Sequence, residues 1–312
     1  MKKIAAVLLL FIAASCTQNN NTTLPDPVEV PLAFHTVYDS TRDVDSPAVW
    51  HGEQGEHWIL LTSKAHHKLW IYDAQNGSPV DTIGSKGSGP GQFLRPNGIL
   101  VWGNRCYVVE RDNHRVQVLS LPDFKSLGSF GSEHLQKPYG ITAVQHDSNQ
   151  IDLYITDDFD VENANENRDK LDHRVHLFKV GVDSVLKTEW VKAFGDTTGP
   201  GALLTVESIM ADPLYKRLYI ADEELKDIKI YTFDGEFTGE IIGNAVFQYE
   251  PEGIALYDTE SSSKLIATDQ SVSDNRFLVY DRKTLTLDGI FACKDIRNTD
   301  GVAITQKSYA EF

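Results

Sequence analysis

Apolar residues in this chain come in short runs, alternating or continuous, cut off by Gly, Asp, Asn or Pro. Trp58–Ser63, Cys106–Glu110, Leu153–Thr156, Leu218–Ala221 and Leu265–Thr268 are five such runs. A second run follows each within a few residues, most opening on a basic residue and alternating apolar positions: Lys68–Tyr72, Arg115–Leu119, Arg174–Phe178, Asp227–Tyr231 and Arg276–Tyr280. Strand length, β-branched and aromatic residues and turn residues at both ends predict all-β structure. Outside Ile4–Ala14, no stretch carries a helical period.

A longer repeat organises these strands. Ile83-Gly84, Phe130-Gly131, Phe194-Gly195, Ile242-Gly243 and Gly289-Ile290 each lead through a loop to a small residue and an apolar strand. Taking Ala48, Gly98, Gly140, Ser208, Gly253 and Gly301 as equivalent, the spacings are 50, 42, 68, 45 and 48 residues. Such a period with four short strands per unit marks a propeller blade, so six openings predict a six-bladed β-propeller. The sixth unit has only Val302–Thr305 before Phe312, so the last blade is expected to be incomplete or completed by the N-terminal segment Pro27–Tyr38. The long spacing holds a polar insertion, Phe159–Asp172, expected on the acidic face as a lid or a solvated loop.

Charge changes the picture. Tyr249-Glu250-Pro251-Glu252-Gly253 and Asn298-Thr299-Asp300-Gly301 open strands on carboxylates, whereas Glu110-Arg111-Asp112, Asp157-Asp158, Asp222-Glu223-Glu224 and Asp269-Gln270 close them. The start of one strand and the end of its antiparallel neighbour share a rim. About a dozen acids are therefore expected on one face, in a chain of net charge −16. Like charges held a few ångström apart repel by ~1 kcal/mol or more per pair even when solvated. Divalent cations would relieve that repulsion, and oxygen donors of this kind suit calcium. Acidic strand ends also cap turns and keep surfaces soluble, which leaves a plain solvated rim open.

Other chemistries find no support. No basic run is present to hold nucleic acid. His66-His67 on a strand cannot both face one ion, and His35, His114, His134 and His173 show no pairing, so they read as surface or core. No Gly-x-Ser-x-Gly elbow occurs, and Gly87–Gly91 leads into a strand rather than a phosphate-binding helix. Cys106 and Cys293 lie in different repeats; they pair only if those repeats touch and are otherwise buried thiols.

Residues 1–15 have a positive start and an apolar stretch too short to span a bilayer, the form of a signal peptide. Ala13-Ala14-Ser15-Cys16 resembles the bacterial lipoprotein lipobox, which implies cleavage before Cys16 and lipidation of its thiol. Residues 16–26 read as a flexible tether and 27–312 as the propeller domain. Thr17 stands where an inner-membrane retention signal would carry Asp, so the expected place is the outer membrane, facing periplasm or exterior. Removal of residues 1–15 takes the charge from −16 to −18.

Five motifs occur in one order. They are Asp43–Trp50 with its Asp45-Ser46-Pro47-Ala48, Lys137-Pro138-Tyr139-Gly140, Val206-Glu207 through Asp222-Glu223, Glu250-Pro251-Glu252-Gly253 with Gln270, and Thr299-Asp300-Gly301. Together they resemble the alkaline β-propeller phytases, calcium-dependent six-bladed enzymes that hydrolyse inositol hexakisphosphate. The resemblance implies that Asp45, Tyr139, Glu207, Glu223, Glu250, Glu252, Gln270 and Asp300 hold calcium and the attacking water. It makes Glu207, Tyr139 and Arg111 catalytic and sets Arg111 and Lys64 on the phosphates of a polyanionic substrate, an inositol phosphate. A monomer is expected, touching a membrane only through its lipid.

The chain also departs from that family. Ser46 replaces an aspartate. Ala65/His66 and Asp158 stand where phosphate-binding lysines are found, with Lys64 close but out of register. Gly84–Val101 is instead similar to NHL-type propeller repeats, so Asn97-Gly98 replaces an acidic turn. Two other readings stay open: a non-catalytic calcium-stabilised ligand-binding propeller, and a lactonase-like metal propeller.

Overall fold

Five sheets, each built on four antiparallel strands, follow one another along the chain in the computed structural model, which describes residues 24–37, 39–163, 167–183 and 185–309. Each sheet is a meander in which consecutive strands pair. In the third blade the order from the centre outward is Pro138–Asp147, Gln150–Asp157, Val175–Gly181 and Thr188–Phe194. The other inner strands are Val44–His51, Pro96–Trp102, Val206–Asp212 and Glu250–Asp258. The apolar runs read from the sequence are the second and third strands of these blades, where side chains on both faces are packed against neighbouring blades. Outermost strands such as Pro79–Ile83 are largely exposed, which is why their sequences carry no continuous apolar signal.

The core lies between blades. Leu60, Ile71, Val108 and Leu119 join the first blade to the second. Val109, Val118, Leu153 and Phe178 join the second to the third. Equivalent clusters built on Ile209, Leu218 and Tyr231, and on Ile230, Leu265 and Leu278, continue the ring. Each buried side chain of this size stabilises by roughly 1.5–3 kcal/mol, so these interfaces hold the disc together. Among the described residues no comparable cluster joins the fifth blade to the first.

The expected six blades therefore become five. The sixth opening supplies a single extended segment, residues 301–305, with no strand beside it. It still takes its place in the ring: a Cβ on Gly253 would lie 2.5 Å from Val302 N, and one on Gly301 would lie 2.7 Å from Pro47 Cδ. Nor does the N-terminal segment complete a sixth sheet. Val28–Glu29 adds in parallel to the outer strand of the fifth blade, Leu287–Ala292, with Val28 opposite Phe291. The chain then crosses to the first blade, where the Phe34 ring packs so closely on Gly77 that a Cβ there would stand 2.7 Å from it. Gln306 bonds to Asp258 of the fifth blade, and Thr305 Oγ1 lies 2.7 Å from His51 Nε2 of the first.

Cys106 and Cys293 are both buried and free, so the pairing alternative is closed. Cys16, its lipobox, the signal peptide and most of the tether lie outside the described residues, as does part of the insertion, residues 164–166. The rest of the insertion is anchored. Phe159 and Leu171 pack with Leu204, and the Arg174 guanidinium lies 4.6 Å above the Phe159 ring. Of the four histidines, His134 stacks on Trp190 and His173 on Phe159.

Candidate metal centre

One irregularity recurs at the same place in every blade. The inner strand breaks register between Val44 and Pro47, Pro96 and Ile99, Pro138 and Ile141, Val206 and Ile209, and Pro251 and Ile254. The two residues inside each break bulge out of the ladder, and a bulge re-aims a side chain. Pro47, Ile99, Ile141, Ile209 and Ile254 pair with Leu61, Val108, Ile155, Ile220 and Ala267, which makes Ser46 the equivalent of Gly98, Gly140, Ser208 and Gly253. The sequence-based alignment on Ala48 is two residues out; Pro47 disguised the small-then-apolar step by which the other blades were matched. Small residues are needed there because the next inner segment passes close by: a Cβ on Gly140 would lie 2.2 Å from Glu207 O.

The residue just before that small one is then Asp45, Asn97, Tyr139, Glu207, Glu252 or Asp300. These six polar side chains, one per inner segment, form a ring at the mouth of a central channel of ≈ 410 Å³. A second tier comes from the end of each second strand: Lys64, Arg111, Asp158 and Glu223 follow theirs, and Gln270 is the last residue of its own.

The acids at the ends of the second strands, expected on the same face, do something else. Glu110, Asp157, Asp222 and Asp269 are fully buried and clamp the loop entering their own blade. Asp269 accepts from Gln248 N at 3.2 Å and Tyr249 N at 2.8 Å, and Arg276 Nε donates to it at 3.0 Å. Asp222 accepts from Leu204 N at 2.8 Å, with Lys229 Nζ at 3.3 Å. Asp157 accepts from Gln136 N and Lys137 N at 2.7 and 2.6 Å. Glu110 accepts from Leu94 N at 3.1 Å and pairs with Arg115 Nε at 2.7 Å. Their charges are answered inside the fold and are not offered to a ligand.

The ring itself divides into two sides. On one, oxygens of Glu207, Glu223 and Glu252 lie within 4.8 Å of one another. No Lys or Arg of the described residues reaches salt-bridge distance of any of the three. Glu223 Oε1 is buried without a hydrogen-bond partner, and Glu252 is only 5% exposed. Burial, and then the neighbouring carboxylates, push the Glu207 and Glu252 carboxyls well above the usual range; Glu223 is raised by burial as well. On the other side Lys64 Nζ sits 2.9 Å from Asp45 Oδ2 and 2.7 Å from Asp300 Oδ2. Burial works against that ammonium, but the two carboxylates outweigh it and hold its proton. Tyr139 OH donates to Asp45 Oδ2 at 2.9 Å, and Gln270 Nε2 donates to Asp300 Oδ1 at 2.5 Å.

Seven of the eight metal-site expectations thus meet on this ring. Glu250 lies apart: it is exposed, opposite Gln270 in the ladder, and acts on Glu223 only through its charge. Arg111 is partly exposed on the same rim, with its charge acting on Asp158 and Asp160. Sequence reasoning missed Asn97 as a ring member. It is fully buried, and neither its Oδ1 nor its Nδ2 has a partner. The sequence places Asn97-Gly98 where other units carry an acidic turn, and the bulge register sets its side chain with the others.

The donors fit a hard divalent cation. They are oxygens, they converge, at least one is orphaned, and no basic side chain of the described residues stands by to answer the three when they ionise. No family model and no curated protein matches this chain. In fold it matches 736 chains of solved structures, so the architecture is widespread and selects no chemistry. One of them is the Kuenenia stuttgartiensis hydrazine synthase, at 10% identity and a TM-score of 0.48; the match covers 80% of this chain and 65% of that one.

Proposed function

We propose that the chain is a calcium-dependent, phytase-like phosphomonoester hydrolase that releases phosphate from inositol phosphates. The observation that carries the reading is the group Glu207, Glu223 and Glu252: three carboxylates, one buried and two half-buried, that converge with no cation of the fold to answer them. These residues would hold the ion, with Asn97 Oδ1 a further oxygen on the same ring. A bound calcium ion supplies charge that lowers the pKa of water and screens a phosphate group. Tyr139, whose phenol is pushed up by burial and then by Asp45 and Glu207, keeps its proton and stays a hydrogen-bond donor at the ring. Arg111 offers a guanidinium at the rim, suited to bidentate contact with a phosphate. Glu250 and Asp43 lie outside the inner ring and add negative potential that draws cations to its mouth. Lipid attachment at Cys16, placement in the cell envelope and a monomeric state belong to the same proposal.

One observation favours a second reading, a non-catalytic propeller in which calcium stabilises a ligand-binding face. Lys64, the ammonium that the phytase resemblance sets on substrate phosphate, is already taken by Asp45 and Asp300. A single experiment separates the two. Purified protein is incubated with phytate, with and without calcium, and released phosphate is measured. Calcium-dependent release supports the hydrolase. No release above buffer removes it, and a rise in melting temperature with calcium but no turnover supports the second reading.

A further inference from the structure

The two sides of the ring differ in how completely their oxygens are used. Asp300 has Oδ1 taken by Gln270 and Oδ2 by Lys64. Asp45 has Oδ2 taken by Lys64 and Tyr139, and Oδ1 by Ser46 Oγ at 2.6 Å. Every oxygen of this pair thus already has a partner, and Lys64 supplies positive charge to both carboxylates. The Lys64 side chain is only 10% exposed, so its ammonium is a fixed internal charge and not a surface group. Tyr139 OH at 3.5 Å and Asp43 Oδ1 at 3.9 Å complete its surroundings. On the opposite side Glu223 Oε1 has nothing. Lys64 and Glu223 hold the same position in their blades, the residue after the second strand. Glu223 adds a donor for an ion, whereas Lys64 adds the charge an ion would bring.

We propose that Lys64 is the resident cation of the Asp45–Asp300 side, so that it limits the ring to one divalent ion, held by Glu207, Glu223 and Glu252. The proposal rests on the metal reading above. It makes Lys64 the residue that sets how many ions the site takes, with a hard divalent cation as the ligand that would replace its ammonium. A compact, strongly hydrated ammonium with three donors substitutes for a small cation between two carboxylates, at the cost of any open coordination position.

Calorimetric titration of the purified chain with calcium alone tests this. Wild type is expected to take one ion and Lys64→Met two; adding Asp300→Asn to Lys64→Met returns the count to one. Equal counts for wild type and Lys64→Met overturn the proposal, as do two or more ions in wild type. Wild type with none overturns the metal reading of the three glutamates instead, while a gain of one ion in Lys64→Met still supports the role of Lys64. Folding of each variant is checked by circular dichroism. Lys64→Gln, which keeps a donor but not the charge, is read in the same way should the methionine variant not fold.

Discussion

The buried acids Glu110, Asp157, Asp222 and Asp269 and the glutamates Glu207, Glu223 and Glu252 stand within a strand of one another on the same propeller face. In sequence they look alike. In the fold the first group meets two kinds of answer to its charge, the amide N–H groups of the entering loop and, in most blades, a basic side chain one strand outward. The second group meets other carboxylates and, at Glu207, the Tyr139 hydroxyl, with no basic side chain among the described residues. Depth does not explain the contrast, since Asp269 and Glu252 are both buried. Ladder position does. The buried acid near the end of a second strand is tied back under the loop, whereas Glu207 and Glu252 sit in the bulges of inner strands and Glu223 lies one residue beyond its buried Asp222, where the three converge. Acids of the first kind are part of the folding mechanism, and those of the second kind make the fold less stable unless something is bound.

The sharpest way to break that contrast is to remove one member of each kind. Asp269→Ala leaves the Arg276 guanidinium buried and the Gln248 and Tyr249 amides unpaired. It is expected to cost about 3–5 kcal/mol in denaturant unfolding; a loss below about 1 kcal/mol would show that the clamp is ornamental. Glu252→Gln is expected to do the opposite in calcium-free buffer, raising the melting temperature by relieving crowded negative charge. The same change should weaken calcium binding by at least about 100-fold, since even residues behind a metal ligand cost 10- to 100-fold, and should lower phosphate release in parallel. Calcium affinity unchanged in this variant would remove Glu252 from the site.

Acidity gives a third, smaller handle. Glu207, Glu223 and Glu252 have their pKa values raised by folding, from an ordinary value of 4.5. At pH values above that, the calcium-free folded state binds more protons than the unfolded chain, so stability falls as pH rises. Between about pH 5 and pH 7 a downward slope in unfolding free energy is expected, on the order of 1 kcal/mol per pH unit for each group that stays protonated in the fold. Calcium should flatten it, because the ion takes the place of the protons. A rising slope without calcium would mean that the three carboxylates are already ionised and answered in some other way. The smallest effect is expected at Thr156, whose hydroxyl donates to Glu207 O at 2.6 Å and accepts from Gly140 N at 2.7 Å, linking the third blade to the fourth. Thr156→Val should cost ~1 kcal/mol in stability with calcium binding retained.

The repeat, the all-β class and the second and third strands were legible because blade-to-blade packing imposes apolar residues on both faces of those strands. Glu207, Glu252 and Asp300 were legible because a carboxylate followed by a small residue and an apolar strand is visible in one dimension. The blade count was not: Gly301-Val302 opens like the others, and only pairing shows that nothing lies beside it. Asn97 escaped because an amide carries no charge to mark it. The division of the acids into clamps and ligands escaped for a different reason. For Glu207 and Glu252 it depends on a one-residue bulge, which shifts side chains from one face to the other, and for Glu223 on a one-residue step past the buried Asp222; neither leaves a compositional trace.

The lone segment 301–305 has a mechanical consequence. Every other junction in the disc is glued by a broad apolar contact, whereas here a thread within and a strap without, residues 28–34, bridge two blades that barely touch. Asp45 stands on the first blade and Asp300 at the head of that thread, and the Lys64 ammonium is moored to both. A single side chain thus acts as the buckle of the ring. Loosening it should let hydrogen exchange start at this joint, well before the remaining four junctions begin to part.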